Sequence, residues 1–291
     1  MICNTHYGYC GGKIKSLEGN FTYTGRYNLR SDGVLELLTS GTFTPKKSMV
    51  IDVFLVGGGG GGAAGNREYS STSYGGGGGG GYTATHLNQS ANGAINVTIG
   101  SGGAGGTALN TVGWDNSNAG GNGGSTMFGS LSVAGGYGST RQGSARVYQV
   151  KGGDGGSGGG GGSLGQDTGD DTFTCAGGSN GGNGQNAYTT AYNTTLNGGN
   201  GQGSTTREFG ESTGKLYAGG GGGSGWNTSW NVTGGDGGGG RGTIVYGSSV
   251  TAGSAGTANT GGGGGGGAAL RNKLTNGSAG GDGVVCIRLS A

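Results

Sequence analysis

Glycine dominates this sequence, contributing 86 of the 291 residues against a single proline. The glycines come in uninterrupted runs, such as Gly57 to Gly62, Gly75 to Gly81 and Gly261 to Gly267. A glycine-rich chain without a strict period is by default low-complexity or disordered. A collagen triple helix is excluded, because it needs glycine at every third position together with abundant proline.

Segments with the pattern of β-strands interrupt the glycine runs. Met49 to Val56, MVIDVFLV, carries apolar residues on both faces, which is typical of a strand buried on both sides. Ala94 to Gly100 and the C-terminal VVCIRLS alternate in a way that indicates one buried face. Shorter candidates follow the same pattern: Gly33 to Leu38, Thr42 to Thr44, Tyr82 to Leu87 and Leu131 to Ala134.

The sequence therefore predicts an all-β protein, with a small β-sandwich-like base whose inter-strand connections have become glycine-rich insertions. No stretch shows the sustained period of an α-helix. We expect an N-terminal attachment segment at 1–40 and a glycine-rich domain at 41–291. The β scaffold of that domain is predicted at 41–57, 81–100, 130–136 and 283–290, with polyglycine insertions between these ranges.

The insertions pose an energetic problem, because ordering a glycine costs roughly 0.5–1 kcal/mol more backbone entropy than ordering an alanine. Only 30% of the residues are hydrophobic, so an apolar core can offset little of this cost. Left-handed threefold helices of the polyproline II type point their N–H and C=O groups outward. Bare glycine helices of this type can hydrogen-bond to one another laterally, so we expect a polyglycine II helix bundle. Floppy linkers are the alternative.

The charge pattern narrows the setting. The net charge is +2, and Lys46 with Lys47 is the only basic pair, so the sequence lacks the basic patch that is typical of nucleic-acid-binding proteins. The segment Met1 to Lys15 lacks the apolar region of a secretory signal, and no apolar run is long enough to span a bilayer. We expect synthesis and folding in a cytoplasm, with no membrane insertion.

Residues suited to catalysis or metal binding are scarce. The two histidines, His6 and His86, leave little for a catalytic triad or a zinc hydrolase. Cys3, His6 and Cys10 have a spacing loosely compatible with a metal, but a structural zinc needs four ligands. Cys286 falls inside a predicted strand and is interpreted as a small core residue. We expect a non-enzymatic protein that needs neither metal nor cofactor.

Tyrosine and tryptophan are concentrated between the glycine runs, among Asn, Ser and Thr. Rigid aromatics among small polar residues are also the composition of antibody binding surfaces. Any single ring is equally well explained as a lid packed over the bundle, but exposed aromatics reduce solubility, so together they favour a contact surface. The predicted receptor-binding residues are Trp226, Trp230, Tyr188, Tyr192, Trp114, Tyr69 and Tyr74.

Three blocks carry a resemblance to a known group. Phe21 to Gly62, the block at 81–106 and the closing GGDGVVCIRLS resemble the glycine-rich proteins of tailed phages, prophages and related Firmicutes elements. In that group a strand, a glycine run, insertions and a closing GG-D/S-G-V-V-x-I-R motif recur. The plan is also similar to the tail-fibre tip adhesins of T-even-like phages, in which stacked polyglycine II helices present variable loops to a bacterial receptor.

The resemblance implies a phage tail-fibre or tail-tip receptor-binding protein, an adhesin of the virion that is made in the host cytoplasm without a signal peptide. Its expected partners are a bacterial surface glycan or protein and other tail proteins, and a homotrimer or attachment to a trimeric fibre fits this plan. A structural fibre or virion-decoration component, with the bundle as a rigid spacer, is the alternative. An ice-binding protein is a weaker alternative, because it requires a regular Thr/Ala face.

Overall fold

The computed structural model describes residues 16–65, 73–109, 118–142, 149–162, 182–184, 206–226, 232–270 and 273–291. The all-β prediction is confirmed, since the regular structure there consists of short strands and a 3-10 turn at Glu208–Gly210. No helix in these ranges is long and apolar enough to cross a membrane. The strands are β1 (Phe21–Tyr23), β2 (Tyr27–Leu29), β3 (Leu35–Leu37), β4 (Gly41–Pro45), β5 (Met49–Val56), β6 (Ser73–Tyr74), β7 (Thr83–Ala91), β8 (Ile95–Thr98), β9 (Thr126–Phe128), β10 (Leu131–Val133), β11 (Thr140–Gln142), β12 (Gln149–Lys151), β13 (Gly225–Trp226), β14 (Ile244–Tyr246), β15 (Ser249–Thr251), β16 (Ala268–Leu270), β17 (Lys273–Leu274) and β18 (Val284–Leu289).

Two five-stranded antiparallel sheets form the base of the molecule. Their strand orders are β1-β4-β8-β9-β10 and β2-β3-β18-β5-β7. The facing sides of the two sheets share one apolar core, to which Phe43 and Phe128 contribute from the first sheet and Val53 and Ile287 from the second. These four side chains are at most 4% exposed. The base is therefore a β-sandwich, as the sequence predicts.

The two strongest strand predictions meet in the second sheet. β18 lies between β3 and β5 and pairs with β5 over its whole length. Ile51, Val53 and Leu55 of β5 pack in the sandwich core, while Phe54 and Val56 belong to a second apolar cluster. Both faces of β5 are thus buried, as its double apolar pattern indicates.

Residues 16–40, predicted as part of an attachment segment, contribute strands to both sheets of the base. β1 is an edge strand of the first sheet, and β2 and β3 belong to the second sheet, where β3 pairs with β18. β1 and β2 have three residues each and were not predicted as strands. Residues 1–15, which include Cys3, His6 and Cys10, lie outside the described residues.

The glycine-rich segments run side by side and are joined by lateral backbone hydrogen bonds. In segment 57–65, successive N–H groups turn to three neighbouring segments in rotation, so that every third donor meets the same neighbour. A period of three is that of a polyproline II backbone. One series of donors consists of Gly57, Gly60 and Ala63, which bond to the carbonyls of Tyr82, Gly79 and Gly76 at 2.9, 2.8 and 2.9 Å.

Segment 57–65 is enclosed by other segments. Within the described part of the chain, three segments accept its N–H groups and three others donate to its carbonyl groups. Neighbours within this ring also bond to each other; the Gly121 N–H, for example, donates to the Ala104 carbonyl at 2.7 Å. The backbone is therefore satisfied laterally, without a large apolar core. The accepting segments are 76–82, 118–124 and 278–281, and the donating segments are 103–106, 136–139 and 264–267.

The close approach of these segments leaves no room for side chains in the interior of the bundle. A β-carbon on Gly59 would lie 2.1 Å from the carbonyl oxygen of Gly262. A β-carbon on Gly264 would lie 2.0 Å from that of Ser278. Both distances are far below van der Waals contact, so the glycine runs are a requirement of this packing.

At the outside of the bundle, exposed polar side chains accept backbone N–H groups. They belong to residues of the Asn and Asp type, whose short side chains bond readily to nearby backbone. Three such bonds run from the Gly138 N–H to Asn122 Oδ1 at 2.9 Å, from the Ala108 N–H to Asn276 Oδ1 at 2.9 Å and from the Gly102 N–H to Asp282 Oδ1 at 2.8 Å. We call these three residues the peripheral caps.

Deletion of Gly283 to Ala291 should abolish folding. The deletion removes β18, which pairs with both β3 and β5, and takes Val285 and Ile287 out of the sandwich core. Circular dichroism and thermal melting of the purified fragment provide the measurement. A fragment that melts cooperatively at the temperature of the full chain would contradict the central position of β18.

Replacing Gly59 by alanine should lower the free energy of unfolding by about 1–3 kcal/mol, the usual cost of overpacking. The matched control is Gly121→Ala, because its β-carbon would meet the nearest atom, the Ala104 nitrogen, only at 3.2 Å. Urea denaturation of both variants measures the difference. Equal and small losses would argue for linkers instead of a packed bundle.

Candidate functional site

The glycine segments lead from the sandwich to three small sheets, and we call this region the distal end. The sheets have the orders β11-β12, β13-β14-β15 and β17-β16-β6. Segment 57–65 connects β5 to this region, where its last residues lie beside the segments that lead into β6 and β16. The Ser224 hydroxyl, next to β13, lies within hydrogen-bonding distance of the carbonyls of Gly75 and Gly267, which adjoin β6 and β16, so it links two of these sheets.

A small apolar cluster holds the distal end together. Tyr74 of β6 packs there with side chains from β14 and β16, and it is only 6% exposed. Tyr74, one of the predicted receptor-binding residues, is thus packed inside the distal end and presents almost none of its ring to solvent. The cluster consists of Tyr74, Val245, Ala268 and Leu270, with Val250 packed against it.

Trp226 is placed at the distal end by its backbone. It lies in β13, where it pairs in parallel with Val245 of β14. The remaining predicted residues, Trp230, Trp114, Tyr69, Tyr188 and Tyr192, lie outside the described residues.

The described residues that flank three of these aromatic segments lie at the distal end. Gly65 and Ser73 flank the segment with Tyr69, and the backbone of Ser73 pairs with Ala269 of β16. The segment with Trp114 lies between Leu109 and Asn118, and the Asn118 carbonyl accepts from the Ala64 N–H at 2.8 Å. Trp230 comes four residues after Trp226, the last residue of β13, in the sequence.

The segment with Tyr188 and Tyr192 differs from the others at its C-terminal flank. It ends at Thr206, whose carbonyl accepts from the Tyr217 N–H at 2.9 Å. Tyr217 packs on the second sheet of the sandwich with Phe54. This flank therefore lies at the base, whereas the flanks of the other three aromatic segments lie at the distal end.

Tyr246 is an aromatic residue of the distal end that the sequence analysis missed. It closes the hairpin between β14 and β15, opposite Ser249, and is 54% exposed. The adjacent Gly247 has a φ of 55°, which glycine adopts without strain. A Gly-Ser pair between two apolar stretches is a hairpin signal, so the position was open to sequence reasoning. Tyr246 is next to Val245, the partner of Trp226, which brings the two aromatic residues into one sheet.

A buried polar cluster lies on the outer face of the second sheet, at the opposite end of the molecule. Glu36, Glu208 and Cys286 are buried and place ligand-type atoms within 4.8 Å of one another. Arg30 Nη1 lies 2.8 Å from Glu208 Oε1, and Lys215 Nζ lies 3.4 Å from Glu36 Oε1. Because cations already neutralise both carboxylates, the arrangement is suited to anchoring segment 206–218 to the sheet rather than to holding a metal ion.

The protonation states in this cluster follow from burial and from these partners. Burial, with the Glu208 carboxylate nearby, raises the pKa of the Cys286 thiol well above its usual value. Cys286 is fully buried, so the expectation of a core cysteine is confirmed. Burial alone would raise the pKa of Glu36, but the Asn28 hydrogen bond and the charges of Lys215 and Arg30 outweigh it and lower that pKa.

Glu36→Gln should make stability less sensitive to acid. Because the pKa of folded Glu36 lies below its unfolded value of about 4.3, the carboxylate contributes stability above that pH and loses it as pH falls through the folded pKa. Urea denaturation between about pH 2 and 7 measures the slope. The slope should be shallower in Glu36→Gln than in the exposed control Glu18→Gln. Identical acid slopes would contradict the role of the ion pairs.

Comparison with known families places the chain. No curated protein is significantly similar to this sequence. A model of the glycine-rich domain family matches residues 38–290, which begin directly after β3, extend just past β18 and include the whole glycine bundle. The protein therefore belongs to the glycine-rich domain family.

Proposed function

We propose that this protein is a receptor-binding adhesin of a phage tail fibre or tail tip. In this proposal the sandwich faces the other virion proteins, and the distal end meets a glycan or protein of the bacterial surface. The glycine segments are polyglycine II helices that hold the two ends apart. The resemblance of the sequence to glycine-rich phage and prophage proteins supports this proposal.

The observation that carries the proposal is the direction in which the chain runs. β5 leads into segment 57–65, and segment 73–82 leads back into β7, so the connection between these two segments lies at the end of the bundle that is remote from the sandwich. β8 and β9 bracket a second excursion in the same way. This plan separates the apolar core of the base from an end at which the sequence can change without disturbing that core.

The described part of the distal end has features that favour contact with a partner. Tyr246 offers a half-exposed ring on a short hairpin, and the Lys273 ammonium donates to the Ser248 carbonyl at 2.6 Å, which holds the turn. A rigid aromatic side chain buries a large area on binding at small entropy cost. Trp226 lies on the neighbouring strand.

A structural spacer is the second candidate, and the density of the bundle favours it. A β-carbon added to any glycine of segment 57–62 would lie only 2.0–2.2 Å from a carbonyl oxygen of a neighbouring segment. Such packing gives a stiff body whether or not the distal end binds anything. The two candidates differ only in what the distal aromatics do.

The combined variant Trp226→Ala, Trp230→Ala and Tyr246→Ala tests the adhesin. Truncation of anchor residues typically costs 2 kcal/mol or more, so the affinity of labelled protein for bacterial cells should fall about thirtyfold. Flow cytometry on a panel of Firmicutes strains measures binding, and thermal melting of the same samples reports on the fold.

The matched control is Tyr27→Ala, because Tyr27 is an equally exposed tyrosine, 49%, in β2 of the base. Reduced cell binding of the distal variant at an unchanged melting temperature, with full binding of the control, supports the adhesin. Unchanged cell binding would favour the spacer. A lowered melting temperature would show that the rings pack over the bundle.

A further inference from the structure

One flank of the bundle carries a large aromatic side chain among small ones. Three neighbouring segments, 119–125, 134–140 and 151–156, form this flank. Their order follows from two backbone bonds, from the Gly123 N–H to the Gly136 carbonyl at 2.8 Å and from the Tyr137 N–H to the Asp154 carbonyl at 2.8 Å. We call this surface the Tyr137 flank.

Outward positions on the Tyr137 flank recur every third residue. In the middle segment they are Ala134, Tyr137 and Thr140, all exposed, while Gly136 and Gly138 are buried. Tyr137 is 52% exposed. A single exposed tyrosine is ordinary on a protein surface. This one is distinguished by the residues that the two adjacent segments place beside it.

Polar groups lie on both sides of Tyr137 at the same level. On one side, Asn122 Oδ1 accepts the Gly138 N–H at 2.9 Å, which fixes the amide. On the other side, Asp154 Oδ2 lies 2.6 Å from Lys151 Nζ. Burial raises the pKa of Tyr82, and the electrostatic effects of Tyr137 and Asp154 raise it further.

We propose that Tyr137, Asn122 and Asp154 form a binding site for a neutral saccharide on the flank of the bundle. The ring of Tyr137 provides a flat apolar face for the C–H groups of a sugar. The Asn122 amide nitrogen can donate a hydrogen bond to a hydroxyl group of the sugar, and the Asp154 carboxylate can accept one.

The charge of the flank argues for a neutral ligand. Lys151 and Asp154 compensate each other, so neither a polyanion nor a polycation finds an excess of opposite charge there. The backbone beneath the site is fixed by lateral hydrogen bonds, so little ordering is needed when a ligand binds. The site goes beyond the proposed adhesin, since it involves no residue of the distal end.

The test uses the full chain on a glycan array of neutral, sialylated, uronic-acid and amino-sugar glycans, followed by calorimetry with the strongest neutral oligosaccharide. We expect neutral glycans to bind, and Tyr137→Ala to weaken that binding about tenfold or more. Tyr137→Phe keeps the ring and should retain most of the affinity. The matched control is Thr140→Ala, an outward position of the same segment, which should bind as the parent does.

A second variant tests the hydrogen-bonding role without removing a peripheral cap. Asn122→Asp keeps the oxygen that accepts the Gly138 N–H but removes the amide donors, so binding should weaken at an unchanged melting temperature. The proposal is overturned if no neutral glycan binds, if only charged glycans bind, or if Tyr137→Ala leaves neutral binding intact.

The distal variant Trp226→Ala, Trp230→Ala and Tyr246→Ala separates this proposal from the adhesin. If the saccharide binds at the Tyr137 flank, this variant should keep its glycan binding even where it loses adhesion to cells. Array binding that disappears in the distal variant and persists in Tyr137→Ala would assign the saccharide to the distal end and exclude the flank.

Discussion

Everything in this molecule depends on a backbone N–H of one glycine segment meeting a carbonyl of the next with no side chain between them. A β-carbon on Gly61 would lie 2.0 Å from the Ala104 oxygen, so any other residue would push the two segments apart. Ala104 itself is tolerated because its segment borders solvent and the residue is exposed. The glycine content of the chain is thus the composition of a packed interior, one built from main-chain hydrogen bonds instead of apolar side chains.

The sandwich sets the order in which these segments pack. β5 and β7 pair antiparallel, and their continuations, segments 57–65 and 73–82, keep that neighbourhood and direction beyond the sheet. Segment 277–283 likewise enters β18, the other neighbour of β5. Because both ends of each glycine-rich connection are held at adjacent strands, the entropic cost of closing that connection into a loop is small. The apolar base therefore helps to offset the high cost of ordering glycine.

Much of the base could be predicted from the sequence, because period-two patterns such as those of β5 and β18 depend only on local residues. β1, β2 and β9, of three residues each, were not predicted. The hydrogen-bond partners of each glycine are residues distant in the chain. Because the residues within a glycine run are identical, the sequence does not indicate which glycine of one segment pairs with which residue of the next. Tyr74 shows the same limit for the site: its neighbours in the sequence are polar residues and glycine, yet packing against residues distant in the chain buries its ring.

A lattice of laterally bonded glycine segments has no boundary of its own. Each outer segment presents donors that a further segment could take, much as an edge strand invites another strand. Asn122, Asn276 and Asp282 occupy that place with side-chain oxygens that end the series of bonds. Three short polar side chains thereby help to limit the number of segments that pack side by side. The cross-section of the bundle is thus set in part by residues other than glycine.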